Sequence, residues 1–321
     1  MRTGKELILA SKVFAKEIRW KSWWYTLSTA LLVTLLSFVT IYFQEWYVKL
    51  LAGLLLGPVL IRLFVIYHDF EHHAILLRSK VAMLFFNLFG IIILAPRSIW
   101  KRSHDYHHSH NCKLYSASIG SYPIYTRQRF EKLSDKEKRI YLFMRHPLTI
   151  FFGYPIIFVF GMCWQSFVSS PRRHWDSLVA ILLHLGLNVL VFWQCGWLTW
   201  ICGMLIPFFI ASMLGAYLFY AQHNFPGVEF RGNSDWAYDH AALESSSFMR
   251  MGFFWRWMTA NIGYHHVHHL NSRIPFYRLP EAMKMIPELQ HPKETSLKPM
   301  DIIRCFRLKV WDPEKKSMTG V

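Results

Sequence analysis

"WYTLSTALLVTLLSFVTIYF", Trp24 to Phe43, is a run of twenty residues with no charged side chain. At a rise of ~1.5 Å per residue, a helix of that length covers ~30 Å, the hydrocarbon depth of a bilayer. The next apolar core, "LLAGLLLGPVLI" (Leu50 to Ile61), is bounded by Lys49 and Arg62. Two such runs in succession read as a hairpin through a membrane. Hydrophobic residues make up 53% of the 321-residue chain, which is consistent with an all-α integral membrane protein.

Further apolar segments follow at 80–96, 147–164, 175–194 and 197–220. The stretches 97–146 and 221–321 are polar enough to form a cap in water. The formal net charge of +16 fits basic loops beside anionic lipid head groups better than a nucleic-acid surface. Five scattered cysteines with no C-x-x-C pair give neither a disulfide framework nor a zinc ribbon. Residues 1–22 do not read as a cleavable leader. Leu7, Ala10, Phe14 and Ile18 share one helical face and Lys5, Lys12, Lys16 and Arg19 the other, which predicts an amphipathic helix in the membrane interface. Trp20, Trp23 and Trp24 then fall where an aromatic belt belongs.

Histidines set the expected topology. Of 17 in the chain, most cluster in "HDFEHH" (68–73), "HDYHHSH" (104–110) and "HHVHH" (265–269). Clusters that share a site must share a side of the membrane. Spans at 24–43 and 47–67 return the chain to its starting side at His68, and the Lys and Arg bias makes that side cytoplasmic. Segment 80–96, with Asn87 and Gly90, then has to be re-entrant or interfacial. By the same parity 175–194 and 197–220 are expected to span and 147–164 to be interfacial. The expected architecture is one domain of four transmembrane helices, hairpins at 24–67 and 175–220, under a cytoplasmic helical cap.

Positions i, i+3 and i+4 lie on one side of a helix. His104, His107 and His108 fit that spacing, His265, His268 and His269 repeat it, and His68 and His72 are an i, i+4 pair. Each group can aim two or three ring nitrogens at one point, as a metal requires, and neutral imidazole serves Zn, Fe, Cu and Ni alike. Eight candidate ligands are too many for one ion and enough for two. His73, His110 and His266 fall off these faces and read as supporting or structural groups. His146, His174, His184, His240 and His291 read as satisfying local hydrogen bonds.

The three boxes in a four-span chain resemble the membrane fatty acid desaturases and related di-iron oxygenases. "YAQHNF" (220–225), "AALESSS" (241–247) and "NIGYHHVHHLNSRIPFYRLPE" (261–281) are most similar to the acyl-lipid desaturases of bacteria and plastids. The resemblance implies two irons held by the eight histidines, with His223, just after the last span, as a further ligand. It also implies O2 as co-substrate. Some relatives hold a metal-bound water with an Asn four residues before that histidine, where this chain has Phe219. Asp69, Glu71, Asp105 and Asn261 are candidates, with His73 and His266, to orient the ligands.

The expected activity is iron- and O2-dependent insertion of a double bond into a fatty acyl chain, held in an apolar tunnel between spans and cap. Removing hydrogen from an unactivated CH2–CH2 requires an oxidant that no side chain supplies. The same boxes serve hydroxylation, carotenoid oxidation and oxidative decarboxylation to terminal alkenes in related enzymes. A metal transporter or zinc scaffold is a more distant alternative, since it would place ligands inside the spans. With no haem, flavin, dinucleotide or iron–sulfur motif in the chain, electrons are expected from a ferredoxin-like or small haem protein, and the location is expected to be a bacterial inner membrane.

Overall fold

The computed structural model describes residues 2–116 and 122–321. The N-terminal segment departs from the expected single helix. Helix α1 (Gly4–Ser11) and a 3-10 turn (Lys12–Ala15) give way to extended backbone at Lys16. Leu7 and Phe14 are buried against protein, not offered to lipid. The segment is tied to the C-terminal cap by the Arg2–Glu288 pair, by Gly4 N donating to Asp239, and by Arg278 donating to the Val13 and Lys16 carbonyls.

Helices α2 (Arg19–Tyr42) and α3 (Trp46–Glu71) form the expected hairpin. Exposure on α2 recurs at Leu27, Leu31, Leu35, Phe38 and Ile41, the stripe of a helix with one lipid-facing side. Helix α3 is the central element, packed on both α2 and the last long helix. Ser79 caps helix α4 (Lys80–Ile92), which bends by 94° into helix α5 (Arg97–Ser109). The Tyr67 hydroxyl donates to the Ala95 carbonyl, so the end of α4 lies beside the end of α3.

Short helices α6 (Arg127–Glu131), α7 (Asp135–Met144) and α8 (Pro147–Phe151) lead into a π-helix (Tyr154–Trp164) and α9 (Gln165–Ser169). The apolar stretch Tyr154–Ser169 falls short of the ~20 residues a span requires. Helix α10 (Trp175–Trp200) continues through a π-helical turn (Ile201–Leu205) into α11 (Ile206–Ala221), a run of 47 residues. Gly196 breaks that run with φ 83° and ψ 165°, a left-handed φ that glycine adopts without strain. Across the break, Trp200 Nε1 donates to Asn188 Oδ1 at 2.8 Å. A straight helix would put these residues ~18 Å apart, so the chain turns back here. Lys49, buried at the start of α3, donates to the Thr40 carbonyl and to Thr199 Oγ1 and joins the two hairpin tips. At the opposite end Asp176 accepts from the Ser98 backbone, joining α10 to α5.

Among the described residues, three stretches are long and apolar enough to cross a membrane: Arg19–Tyr42, Trp46–Glu71 and Trp175–Ala221. The remaining cap holds α12 (Tyr238–Glu244), β1 (Phe248–Arg250), α13 (Phe253–Met258), α14 (His265–Leu270), α15 (Leu279–Met285), β2 (Glu294–Ser296), α16 (Pro299–Arg307), β3 (Val310–Asp312) and β4 (Ser317–Thr319). The fold is mostly helical, but among the described residues it is not purely so. Strands β1 and β2 pair in parallel and β3 and β4 antiparallel.

Helix α3 approaches the chain after Gly196 closely because Gly53 and Gly57 stand one turn apart, a small-xxx-small pair. A Cβ on Gly53 would lie 2.1 Å from the Cys202 carbonyl oxygen, and one on Gly57 2.7 Å from Ile210. Gly186 has open space around it. Gly53→Val should destabilise the protein by about 1–3 kcal/mol through overpacking, while Gly186→Val should change little. Thermal melts of the two variants in detergent check this, and equal melting would contradict the packing.

Candidate metal centre

Four segments bring histidines to one place. The last turn of α3 carries His68, with His72 as its C-cap; α5 carries His104, His107 and His108; His223 follows α11; and α14 carries His265, His268 and His269. Each of these segments starts or ends beside a long apolar helix or in the cap, so the clusters meet where cap and spans join.

The nine rings form two groups. His68, His72, His104, His108 and His268 make one, and His107, His223, His265 and His269 the other, with ligand atoms in each within 4.8 Å of one another. The boxes therefore do not each serve one point, as spacing alone suggested. Residues i and i+4 differ by only ~40° around a helix, whereas i+3 lies ~100° from i+4. So His104 and His108 stay together while His107 turns to the other group, and His265 and His269 stay together while His268 crosses over. His108 and His269 stack at 4.2 Å between centroids and bridge the two groups.

Ring nitrogens face one another at short range. His108 Nε2 lies 3.1 Å from both His104 Nε2 and His268 Nε2. His223 Nε2 lies 3.1 Å from His107 Nε2 and 2.9 Å from His265 Nε2. Donor atoms ~2.1 Å from one ion and at right angles would be ~3.0 Å apart, so this spacing suits a shared cation. His72 Nε2 is buried and has no hydrogen-bond partner. A lone pair stranded in this way is costly, and a metal would satisfy it. Burial, then the neighbouring imidazoles, hold His72, His265, His268 and His269 well below the ordinary histidine range. Burial takes His223 to about 4, against the opposite pull of the Ser245 carbonyl. These five rings are therefore held in the neutral form that coordinates a metal.

Two rings have their far nitrogens fixed. His68 Nδ1 lies 3.2 Å from Asp69 Oδ1, and Asp69 Oδ2 accepts from Phe276 N at 2.6 Å. His223 Nδ1 donates to the Ser245 carbonyl at 3.0 Å. Such contacts set tautomer and orientation. Of the expected supporting groups, only Asp69 does this. Glu71 pairs with Arg97, and Asp105 is drawn to Lys101 on the exposed side of α5. Asn261 donates to the Phe276 carbonyl. His73 is exposed with a left-handed backbone, and His110 stacks on Tyr106 at 4.0 Å. His266 reaches the Leu289 carbonyl at 3.2 Å and braces the cap. Phe219 packs its ring against His104 and His107, giving that side of the centre an apolar wall. His184 lies away from both groups on the Tyr154 hydroxyl. The role of Ser245 was not legible in the sequence, because a backbone carbonyl leaves no residue signature.

A family model described as fatty acid desaturase matches residues 44–297. A fatty acid desaturase of Bacillus subtilis (strain 168) is 30% identical over 264 residues, covering 81% of this chain and 74% of that protein. An sn-1 acyl-lipid omega-3 desaturase (ferredoxin) of Nostoc sp. (strain 36) is 26% identical, covering 83% of this chain and 75% of the relative. The chloroplastic omega-6 fatty acid desaturase of Glycine max is 22% identical, covering 76% of this chain and 57% of the relative.

The grouping predicts which metal each variant loses. His268→Ala removes a donor from the five-histidine group and His223→Ala one from the four-histidine group, so each should lose about half of the bound metal. His184→Ala should keep it all. Metal per folded chain by mass spectrometry checks this, and equal content in all three variants would contradict the assignment.

Proposed function

Because the chain belongs to the fatty acid desaturase family, as a desaturase-like oxidoreductase, we propose that it inserts a double bond into a fatty acyl chain with two iron ions and O2. The ligands in this reading are His68, His72, His104, His107, His108, His223, His265, His268 and His269. One observation carries the proposal: an apolar cavity of about 730 Å³ reaches His104 of one group and His107 of the other. Volumes of this order hold elongated ligands.

The cavity runs between α3, α11, the π-helix and α7. Phe219 stands at its histidine end, and Gly215 and Ala211 follow at successive turns of α11. Such walls exclude water and fix the position of a methylene chain against the centre. Trp100 stacks on His104 at 4.7 Å and forms part of the same wall. When bound, iron supplies the activation of O2 that abstraction from an unactivated methylene requires. The protein's part is to hold the irons on neutral donors, to orient His68 through Asp69 and His223 through Ser245, and to place the chain.

In the membrane we read the 47-residue run as two crossings, since Gly196 reverses it. That gives four spans, with 24–67 and 175–220 as hairpins, α4 re-entrant, and 97–146 and 221–321 as a single-domain cap. Basic residues in the cap favour the cytoplasmic side, here of a bacterial inner membrane. Two relatives are named as ferredoxin-dependent, which favours a ferredoxin-like donor over a small haem protein. A net charge of +16 suits an acidic donor.

The test is chromatography of lipids and volatiles from a host expressing the chain. Unsaturated acyl chains are expected with the wild type and none with His108→Ala. A terminal alkene one carbon shorter, or a hydroxylated chain, would refute desaturation. Gly215→Leu should separate substrate from metal, because its side chain would enter the cavity between Ile61 and Phe158. Turnover of long chains should fall about tenfold or more while iron content stays the same. Unchanged turnover would show that the acyl chain lies elsewhere.

A further inference from the structure

Arg62 is the one buried cation in the middle of α3, and no carboxylate pairs with it among the described residues. A charge within a membrane-crossing helix calls for an explanation. Its Nε donates to Thr29 Oγ1 at 3.1 Å, its Nη1 donates to the Trp257 carbonyl, and its guanidinium lies 4.1 Å from the Trp257 ring centroid. Trp257 sits in the last turn of α13, so Arg62 caps that helix and clamps it to the flank of α3. Trp255 and Met258 complete the seat, sharing a small cavity wall with Pro58, Ile61, Leu214 and Leu218. A piece of the cap is thereby held against lipid-crossing segments.

Its outer face is apolar and bare. Phe253 is 77% exposed, and Phe254 and Trp257 are also exposed. Strands β1 and β2 run parallel, so α13 and α16, which follow them, leave the pair in the same direction. Leu297, just before α16, joins the same cavity wall, and Phe306 of α16 stacks on Tyr220 of α11 at 5.2 Å. Helix α16 adds exposed Met300 and Ile303. The same two helices carry Arg256, Lys298 (the N-cap of α16) and Arg307, exposed and with no ion-pair partner among the described residues, while Arg250 and Arg304 pair with Glu294 and Asp301. Bare aromatics rimmed by free cations, on elements seated against spans, match the two layers of a phospholipid surface.

We propose that α13 and α16 form a lipid-facing collar, whose rings enter the bilayer and whose cations hold anionic phospholipid head groups. The collar belongs to the stretch 221–321, which by composition reads as water-exposed. It also bears on the metal centre, because residues 259–264 lead directly from α13 to His265, with Gly263 packed 2.7 Å (at its Cβ position) from the Met249 carbonyl. Anchoring α13 therefore holds the third histidine box in register with the bilayer.

Two experiments on the full chain test the collar. In the first, photo-crosslinking benzoylphenylalanine replaces Phe253 or, as a reference on α3, the exposed Leu51. Phospholipid adducts are expected at both positions. Adducts at 51 and none at 253 would overturn the collar, and adducts at neither would overturn the membrane reading of α3 on which the collar rests. In the second, melting is compared in nanodiscs of phosphatidylglycerol and of phosphatidylcholine. The wild type should melt about 5 °C higher in the anionic lipid. The Arg256→Gln/Lys298→Gln/Arg307→Gln variant should lose most of that difference, and Lys315→Gln/Lys316→Gln should keep it. A wild type indifferent to lipid charge, or a triple variant that keeps the full difference, would overturn the head-group assignment.

Discussion

Nine imidazoles gathered on two points are the constraint on which the rest of the structure depends. Several of their Nε2 atoms lie about 3 Å apart, and His72 Nε2 and the Nδ1 atoms of His108, His265, His268 and His269 are buried with no hydrogen-bond partner. The donors come from the end of α3, from α5, from His223 two residues beyond α11 and from α14, so those elements must meet at one level. That requirement explains the reversal at Gly196, the bend between α4 and α5, and the short helices of the cap. Gly53 and Gly57 serve it too, letting α3 and the chain after Gly196 close up so that His68 and His223 reach adjoining groups.

The same geometry couples the centre to the membrane. Small residues on α11 leave a mostly apolar space that ends on His104 and His107, with the Phe219 ring packed against both. On the opposite flank of α3, Arg62 secures α13 and through it the loop before His265. The substrate space and the lipid-facing collar are thus two consequences of building a water-averse centre at the end of membrane helices.

Much of this was legible in the residues. The apolar runs at 24–43 and 47–67 match α2 and α3, and the i, i+3 and i+4 spacings marked eight candidate ligands because helical spacing is local. How the ligands divide was not legible, since the ~60° between i and i+3 matters only once the helices cross. His223 carried no spacing signal and came from resemblance alone. The N-terminal segment was misread for a related reason: an amphipathic face shows that something apolar covers it, not whether that is lipid or the cap. The cavity wall could not be read because it gathers residues from distant segments, each of which looks like ordinary core. Arg62 stands in the sequence only as the boundary of an apolar run, and its partner lies 195 residues away.

The central claim is that two inequivalent all-nitrogen sites, one of five histidines and one of four, each hold an iron. Mössbauer spectroscopy of the full chain, reconstituted anaerobically with iron-57, tests it most directly. Two high-spin ferrous signals of equal area, lost together on acid denaturation, are the predicted result. A single signal, or a protein that retains zinc and takes up no iron, would contradict it.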